Sequence, residues 1–185
     1  MPLVSVVIPV YCNAGSLTAL HERLDAVARC QDDCAFEFIF VDDGSLDDSY
    51  TILKGLRAKD ERVRVVKLSR NFGSNAAVMA GLGYARGQCA AILSADLQDP
   101  PELIPEMLRY WRAGTKVVLA ARRRRADPWL TRIPAVAFNR LFHALVFRDF
   151  PEGGFDYVLI DRRVVDVLTQ SAEKNSYVFG LIIWA

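Results

Sequence analysis

Short strand-like apolar runs, each followed by a segment of helical period, constrain this chain more than anything else in it. Residues 3–8, 36–41, 63–68, 89–93 and 116–121 are the strand candidates, and residues 157–160 form a shorter one. The early runs are continuous rather than alternating, so both of their faces are covered. That predicts an α/β fold with a mostly parallel sheet between two helix layers. Ser16 is placed to cap a first helix with Leu17, Leu20, Leu24 and Val27 on one face. Ser45 is placed to cap a second, with Ile52, Leu53 and Leu56 as its apolar residues. Residues 75–85 predict a helix of small side chains. Asp99-Pro100-Pro101-Glu102 reads as a capping box that starts a helix reaching about Trp111. Residues 129–147 read as a helix kinked or delayed by Pro134, and another begins at residue 162.

Ligands on such sheets bind beyond the carboxyl ends of the strands. The most polar loops here, 9–16, 42–47, 69–75 and 94–99, all follow strands. Asp42 and Asp43 close the second strand. Their carboxylates suit hydrogen bonds from a base or ribose, and they also suit a helix N-terminus. Asp96 lies just past the fourth strand, where a metal-bound diphosphate would sit. A lone carboxylate is enough for Mg²⁺ or Mn²⁺ when phosphate oxygens and water supply the rest. Arg70 can neutralise phosphate, or be a surface arginine beside a turn. Asp156 follows Gly153-Gly154 and is either a base presented to a cleft or a turn aspartate. The basic run at 122–125 has three readings: donor diphosphate binding through Arg122, capture of an anionic lipid at about 1 kcal/mol per residue, or a solvated loop.

Composition removes several function classes. The chain has 185 residues, enough for one domain, and a net charge of +1, which gives no footprint for nucleic acid. No G-x-G-x-x-G follows the first strand and no P-loop motif occurs, so dehydrogenase and P-loop readings are poor. The four cysteines form no C-x-x-C pair, and His21 and His143 stand far apart, so a zinc site is not expected. Free thiols suit a reducing cytoplasm. No signal-like n-region precedes residue 3, and no apolar run reaches the roughly 18 residues of a membrane helix. Residues 179–185 are apolar and read either as a buried terminal element or as an interrupted chain. Phe138, Leu141, Phe142, Leu145, Val146 and Phe147 form a stripe that suits core, a membrane-proximal face or a homo-oligomer surface.

Taken in order, Val6-Val7-Ile8-Pro9-Val10-Tyr11, Val41-Asp42-Asp43-Gly44-Ser45, Leu68-Ser69-Arg70-Asn71-Phe72-Gly73 and Ala95-Asp96-Leu97-Gln98-Asp99-Pro100-Pro101 resemble the family 2 glycosyltransferases over essentially the whole chain. Within that family the resemblance is to bacterial enzymes related to dolichyl-phosphate mannose synthase. It implies a GT-A fold and one catalytic domain over residues 1–185, ending before C-terminal membrane helices. It implies inverting transfer from a UDP- or GDP-type nucleotide-sugar to a polyprenyl-phosphate or glycan acceptor, at the cytoplasmic face of the membrane. Pro9 and Tyr11 are then expected beside the base, and Asp42 and Asp43 at base and ribose. Asp96 is expected at a divalent cation and the diphosphate, with Arg70 and Arg122 adding positive charge. Asp156 becomes the catalytic or acceptor-orienting carboxylate. Two positions depart from the pattern: Ser94 replaces the first Asp of D-x-D, and Asn13 stands where many relatives carry an acidic ribose contact. The second bears on donor identity; loss of the first acidic residue, with no membrane helix in the chain, fits a non-catalytic nucleotide-sugar-binding or assembly module as the alternative.

Overall fold

The structure, a computed structural model, describes residues 1–120, 157–170 and 178–184. Six strands form one sheet in the order β3-β2-β1-β4-β6-β5. They are β1 (Leu3–Val10), β2 (Ala35–Asp42), β3 (Val63–Lys67), β4 (Cys89–Ile92), β5 (Val117–Leu119) and β6 (Val158–Asp161). β1 is central. It runs parallel to β2, from Leu3↔Ala35 to Val10↔Asp42, and parallel to β4, from Val4↔Cys89 to Val7↔Ile92. β2 pairs in parallel with β3. β6 is antiparallel to both β4 and β5, so the sheet is mixed although mostly parallel.

The period of two along β1 divides the core. Val4, Val6, Ile8 and Val10 face α1 (Leu17–Arg29), α2 (Ser49–Lys59) and α4 (Ile104–Arg112), packing with Leu20, Leu24, Leu53 and Leu108. Val7 faces the opposite layer with Ile39 and Val41. That layer is α3 (Ser74–Tyr84), α5 (Arg162–Gln170) and α6 (Val178–Trp184), through Ala77, Val78, Val165 and Val178. Small residues let α3 lie close to the sheet: a Cβ on Gly81 would collide with Val7 Cγ1. Val178, Phe179 and Ile182 are buried, which agrees with reading the apolar C-terminal segment as core.

Two capping expectations are corrected, and a third holds in position only. Helix α2 begins after Asp48, not after Ser45. Ser45 Oγ instead accepts the Cys12 backbone N–H at 3.0 Å. Asp99 does not occupy the N-cap. A 3₁₀ turn, Pro101–Leu103, precedes α4, and its N-cap position falls on Pro100. Glu102, the other half of the expected box, forms a bidentate pair with Arg23 at 2.6 and 2.8 Å. Ser16 does hold the N-cap position of α1, but its hydroxyl makes no cap bond and donates to Ala95 O at 2.6 Å. Ser45, Glu102 and Ser16 each meet a partner distant in sequence, while Asp99 accepts from Ser94 in its own loop. Among the described residues no helix is long and apolar enough to cross a membrane.

Candidate functional site

β1 leads to β2 and β3 on one side of the sheet, while β4 lies on its other side. The carboxyl ends of β1 and β4 therefore flank a topological switch point, the place where open α/β sheets bind ligands. A cleft of about 290 Å³ lies there. Pro9, Tyr11 and Asn13 line it from the β1 end, and Asp43 from the β2 end. Asn71, Gly73 and Ser74 line it from the β3–α3 loop, and Ser94, Ala95 and Asp96 from the β4 end.

Side chains from the β2–α2 loop hold the β1–α1 loop in shape. Besides the Ser45–Cys12 bond, Ser49 Oγ accepts the Asn13 N–H at 2.9 Å and Asp47 Oδ2 accepts the Ala14 N–H at 3.0 Å. Asn13 Oδ1 accepts the Tyr11 N–H at 3.0 Å. Cys12, between them, has φ 55°. The Ser49 hydrogen bond, helped by backbone N–H donors, holds the Asp47 carboxyl below the usual carboxylate range. Backbone donors that a wandering loop would leave exposed are thereby satisfied on one rigid wall.

Asp42 and Asp43 are adjacent but do different work. Asp42 is fully buried. Its Oδ1 accepts the Ser45 N–H at 3.2 Å, and its Oδ2 has no hydrogen-bond partner among the described residues. It is not among the residues lining the cleft. Asp43 does line it, and its two oxygens accept the backbone N–H groups of Phe72 and Gly73 at 2.8 Å each. Gly44 turns the chain between these loops at φ 70°, and a Cβ there would stand 2.6 Å from the carbonyl carbon of Arg70. Arg70 itself is exposed, with its guanidinium 4.5 Å from the Phe72 ring centroid and outside the cleft lining.

Asp96 is exposed in the loop after β4, which turns through Leu97 at φ 65°. Its Oδ1 accepts the Ser94 hydroxyl at 2.5 Å and the Gln98 N–H at 3.0 Å. Its Oδ2 has no hydrogen-bond partner among the described residues. Gly73 and Ser74 bring the N-terminus of α3 to the same cleft, with no acidic residue in its first turn. Helix N-termini favour anions through their free N–H groups and dipole. One wall thus offers a carboxylate for a cation, and another offers a helix end for an anion.

The structure therefore brings Pro9, Tyr11, Asp43 and Asp96 together and leaves Asp42 and Arg70 outside the lining. Arg122, Asp156, the run at 122–125, the 129–147 segment and its apolar stripe lie outside the described residues. Asn71 and Ser74 belong to the polar loop 69–75 expected at the site, although only Arg70 had an expected role in it. Their place in a polar loop directly after a strand was the available signal.

A model of the family described as glycosyl transferase family 2 matches residues 5–167. The chain belongs to that family. Among its family 2 relatives, the Bacillus subtilis (strain 168) "Uncharacterized glycosyltransferase YkcC" is 39% identical over 181 residues, which is 97% of this chain and 56% of that protein. The undecaprenyl-phosphate 4-deoxy-4-formamido-L-arabinose transferase of Proteus mirabilis (strain HI4320) is 34% identical over 177 residues, covering 95% of this chain and 54% of that one. The chain thus spans little more than half the length of the curated relatives it matches. A mannosyltransferase from Pyrobaculum calidifontis, solved with GDP-Man and Mn²⁺, superposes with a TM-score of 0.59 at 18% identity, covering 96% of this chain and 50% of that one. At that identity the likeness speaks to the fold, which is GT-A.

Proposed function

We propose that this chain is the donor-binding part of an inverting glycosyltransferase that moves a sugar from a nucleoside-diphosphate sugar to a polyprenyl phosphate. The observation that carries the reading is the position of Asp96. It is an exposed carboxylate with one oxygen that meets no donor among the described residues, in a cleft that also holds the N-terminus of α3. The acceptor class rests on the activity for which the Proteus mirabilis relative is named, which acts on undecaprenyl phosphate.

The residues fit a divalent cation of the Mg²⁺ or Mn²⁺ kind. Among the described residues no group of three or more His, Cys, Asp or Glu forms a cage, so Asp96 would hold the ion with phosphate oxygens and water. When bound, the cation supplies charge neutralisation for the departing nucleoside diphosphate. Tyr11 and Pro9 form an apolar wall for the base, and Asn13 offers an uncharged amide to the ribose. The α3 N-terminus favours the diphosphate, and Arg122 is the candidate for added positive charge in this proposal. The polyprenyl phosphate is already anionic near neutral pH and attacks the anomeric carbon directly. Asp156 orients that acceptor rather than removing a proton. Membrane association follows from this lipid acceptor, and the cytoplasmic face is part of the same proposal.

The test is transfer. The protein is incubated with undecaprenyl phosphate in detergent, Mn²⁺, and a panel of UDP- and GDP-sugars labelled in the sugar. The reading predicts labelled lipid of inverted anomeric configuration, and a loss of about a hundredfold in Asp156→Asn, the order expected when a reacting group is mispositioned. Nucleotide binding without any transfer to lipid would contradict it in favour of a non-catalytic binding module.

A further inference from the structure

The Ser94 hydroxyl stands between two carboxylates. Its Oγ lies 2.5 Å from Asp96 Oδ1 and 2.9 Å from Asp99 Oδ2. Asp99 is buried and also accepts the Ser94 backbone N–H at 3.1 Å. A serine hydroxyl has one proton to donate. The shorter contact falls in the charge-assisted range of about 2.5–2.7 Å, so the proton goes to Asp96. The Gln98 N–H reaches the same oxygen at 3.0 Å. Oδ1 of Asp96 is therefore saturated by two donors from its own loop, while Asp99 anchors Ser94 from beneath.

Resting on the reading of the cleft as a nucleoside-diphosphate site, we infer that Ser94 is a positioning residue that rations the charge offered to the cation. An acidic side chain at position 94 would add a second anionic group. The hydroxyl adds none, and it occupies one of the two oxygens that Asp96 has. Asp96 then presents a single carboxylate oxygen to the ion, far short of the roughly six oxygens a Mg²⁺-like ion takes. Asp96 would then hold a cation only together with the diphosphate, as a metal–nucleotide complex. The Ser94 hydrogen bond also fixes the Asp96 rotamer, so its loss loosens that complex.

The experiment follows Mn²⁺ directly by electron paramagnetic resonance, alone and with GDP or UDP, and nucleotide affinity by calorimetry in Mn²⁺ or in EDTA. It compares the wild-type protein with Ser94→Ala, Ser94→Thr and Ser94→Asp. Wild-type protein is expected to bind no Mn²⁺ at millimolar concentration without nucleotide. Ser94→Ala is expected to lose about tenfold in Mn²⁺-dependent nucleotide affinity, the worth of one hydrogen bond to a charged group, with EDTA affinity unchanged. Ser94→Thr keeps the hydroxyl and is expected to restore it. Ser94→Asp is expected to gain nucleotide-free Mn²⁺ binding. Tight wild-type binding of Mn²⁺ alone would overturn the inference. So would a Ser94→Ala protein indistinguishable from wild type while wild-type nucleotide binding remains Mn²⁺-dependent, and that outcome leaves the proposed function standing. Failure of folded wild-type protein to bind either nucleotide would remove the functional reading and the inference with it. If melting curves show Ser94→Ala unfolded, the Ser94→Asp arm decides, and absence of its gain overturns the inference.

Discussion

The carboxylate of Asp43 accepts the backbone N–H of Gly73 at 2.8 Å, tying the end of β2 to the residue that precedes α3. Its other oxygen holds the Phe72 N–H at the same distance, and the side chain is almost wholly buried. Replacing Asp43 by Ala leaves two backbone donors without their charged acceptor. A loss of about 2–4 kcal/mol in unfolding free energy is expected, read by urea denaturation. Asp43→Asn retains one acceptor oxygen and should lose less.

Gly44 sits where the same two loops touch. Its φ is 70°, and a methyl group on its Cα would come within 2.6 Å of the Arg70 backbone, which leaves no room for a side chain. Gly44→Ala is expected to cost at least about 1–3 kcal/mol from backbone strain alone, with further loss from displacement of the 70–73 loop. Thermal unfolding measures the first effect, and weakened nucleotide affinity reports the second.

Much of this architecture is legible in the amino-acid sequence. Apolar runs such as residues 36–41, broken only by Glu37, and 89–93 mark buried strands because both of their faces are covered. The polar loops after β1, β2, β3 and β4 converge because parallel strands put their carboxyl ends on one side. The direction of β6 is not legible, since Val158–Asp161 carries no local signal that it runs against β4. Nor are the roles of Ser45 and Asp99. Both occupy sound capping positions in sequence, yet Ser45 accepts from Cys12 and Asp99 from Ser94. Short polar side chains serve any donor within reach: for Ser45 that donor comes from a loop the tertiary fold brings near, and for Asp99 from Ser94 in the turn of its own loop. The different partners of Asp42 and Asp43 have the same origin.

Acid stability should depend on Asp60. Arg62 contributes its backbone N–H at 3.0 Å and its guanidinium at 2.8 and 2.9 Å, and His21 Nε2 lies 2.9 Å away. These contacts, Arg62 first, hold the Asp60 carboxyl well below the usual carboxylate range. A folded-state pKa below the unfolded value gives stability that is present above about pH 4 and is lost as the pH falls toward the depressed value. Melting temperatures between about pH 2 and 7 should therefore drop in acid. Asp60→Asn is expected to be less stable at neutral pH by about 1–3 kcal/mol, with a flatter acid limb.

The thiols should divide by environment. Cys12 and Cys30 are exposed, and Cys34 and Cys89 are buried. Burial pushes the Cys89 thiol up to about 12 and raises Cys34 as well. Only the thiolate reacts, so a disulfide reagent at about pH 8 should label two thiols rapidly in the native protein and all four after denaturation. Cys12 lies between the cleft residues Tyr11 and Asn13. Bound nucleotide should slow its labelling several-fold, roughly by one plus the ratio of free nucleotide concentration to Kd, and leave Cys30 unaffected. Peptide mapping distinguishes the two.

The central claim is that Asp96 binds a nucleoside diphosphate through a divalent cation. Calorimetric titration with UDP and with GDP, each with and without Mn²⁺, on wild-type protein and Asp96→Ala tests it most directly. Mn²⁺-dependent binding of one nucleotide, lost in Asp96→Ala, is the expected result. Folded wild-type protein that binds neither nucleotide, or binds one equally well without Mn²⁺ and without Asp96, would contradict it.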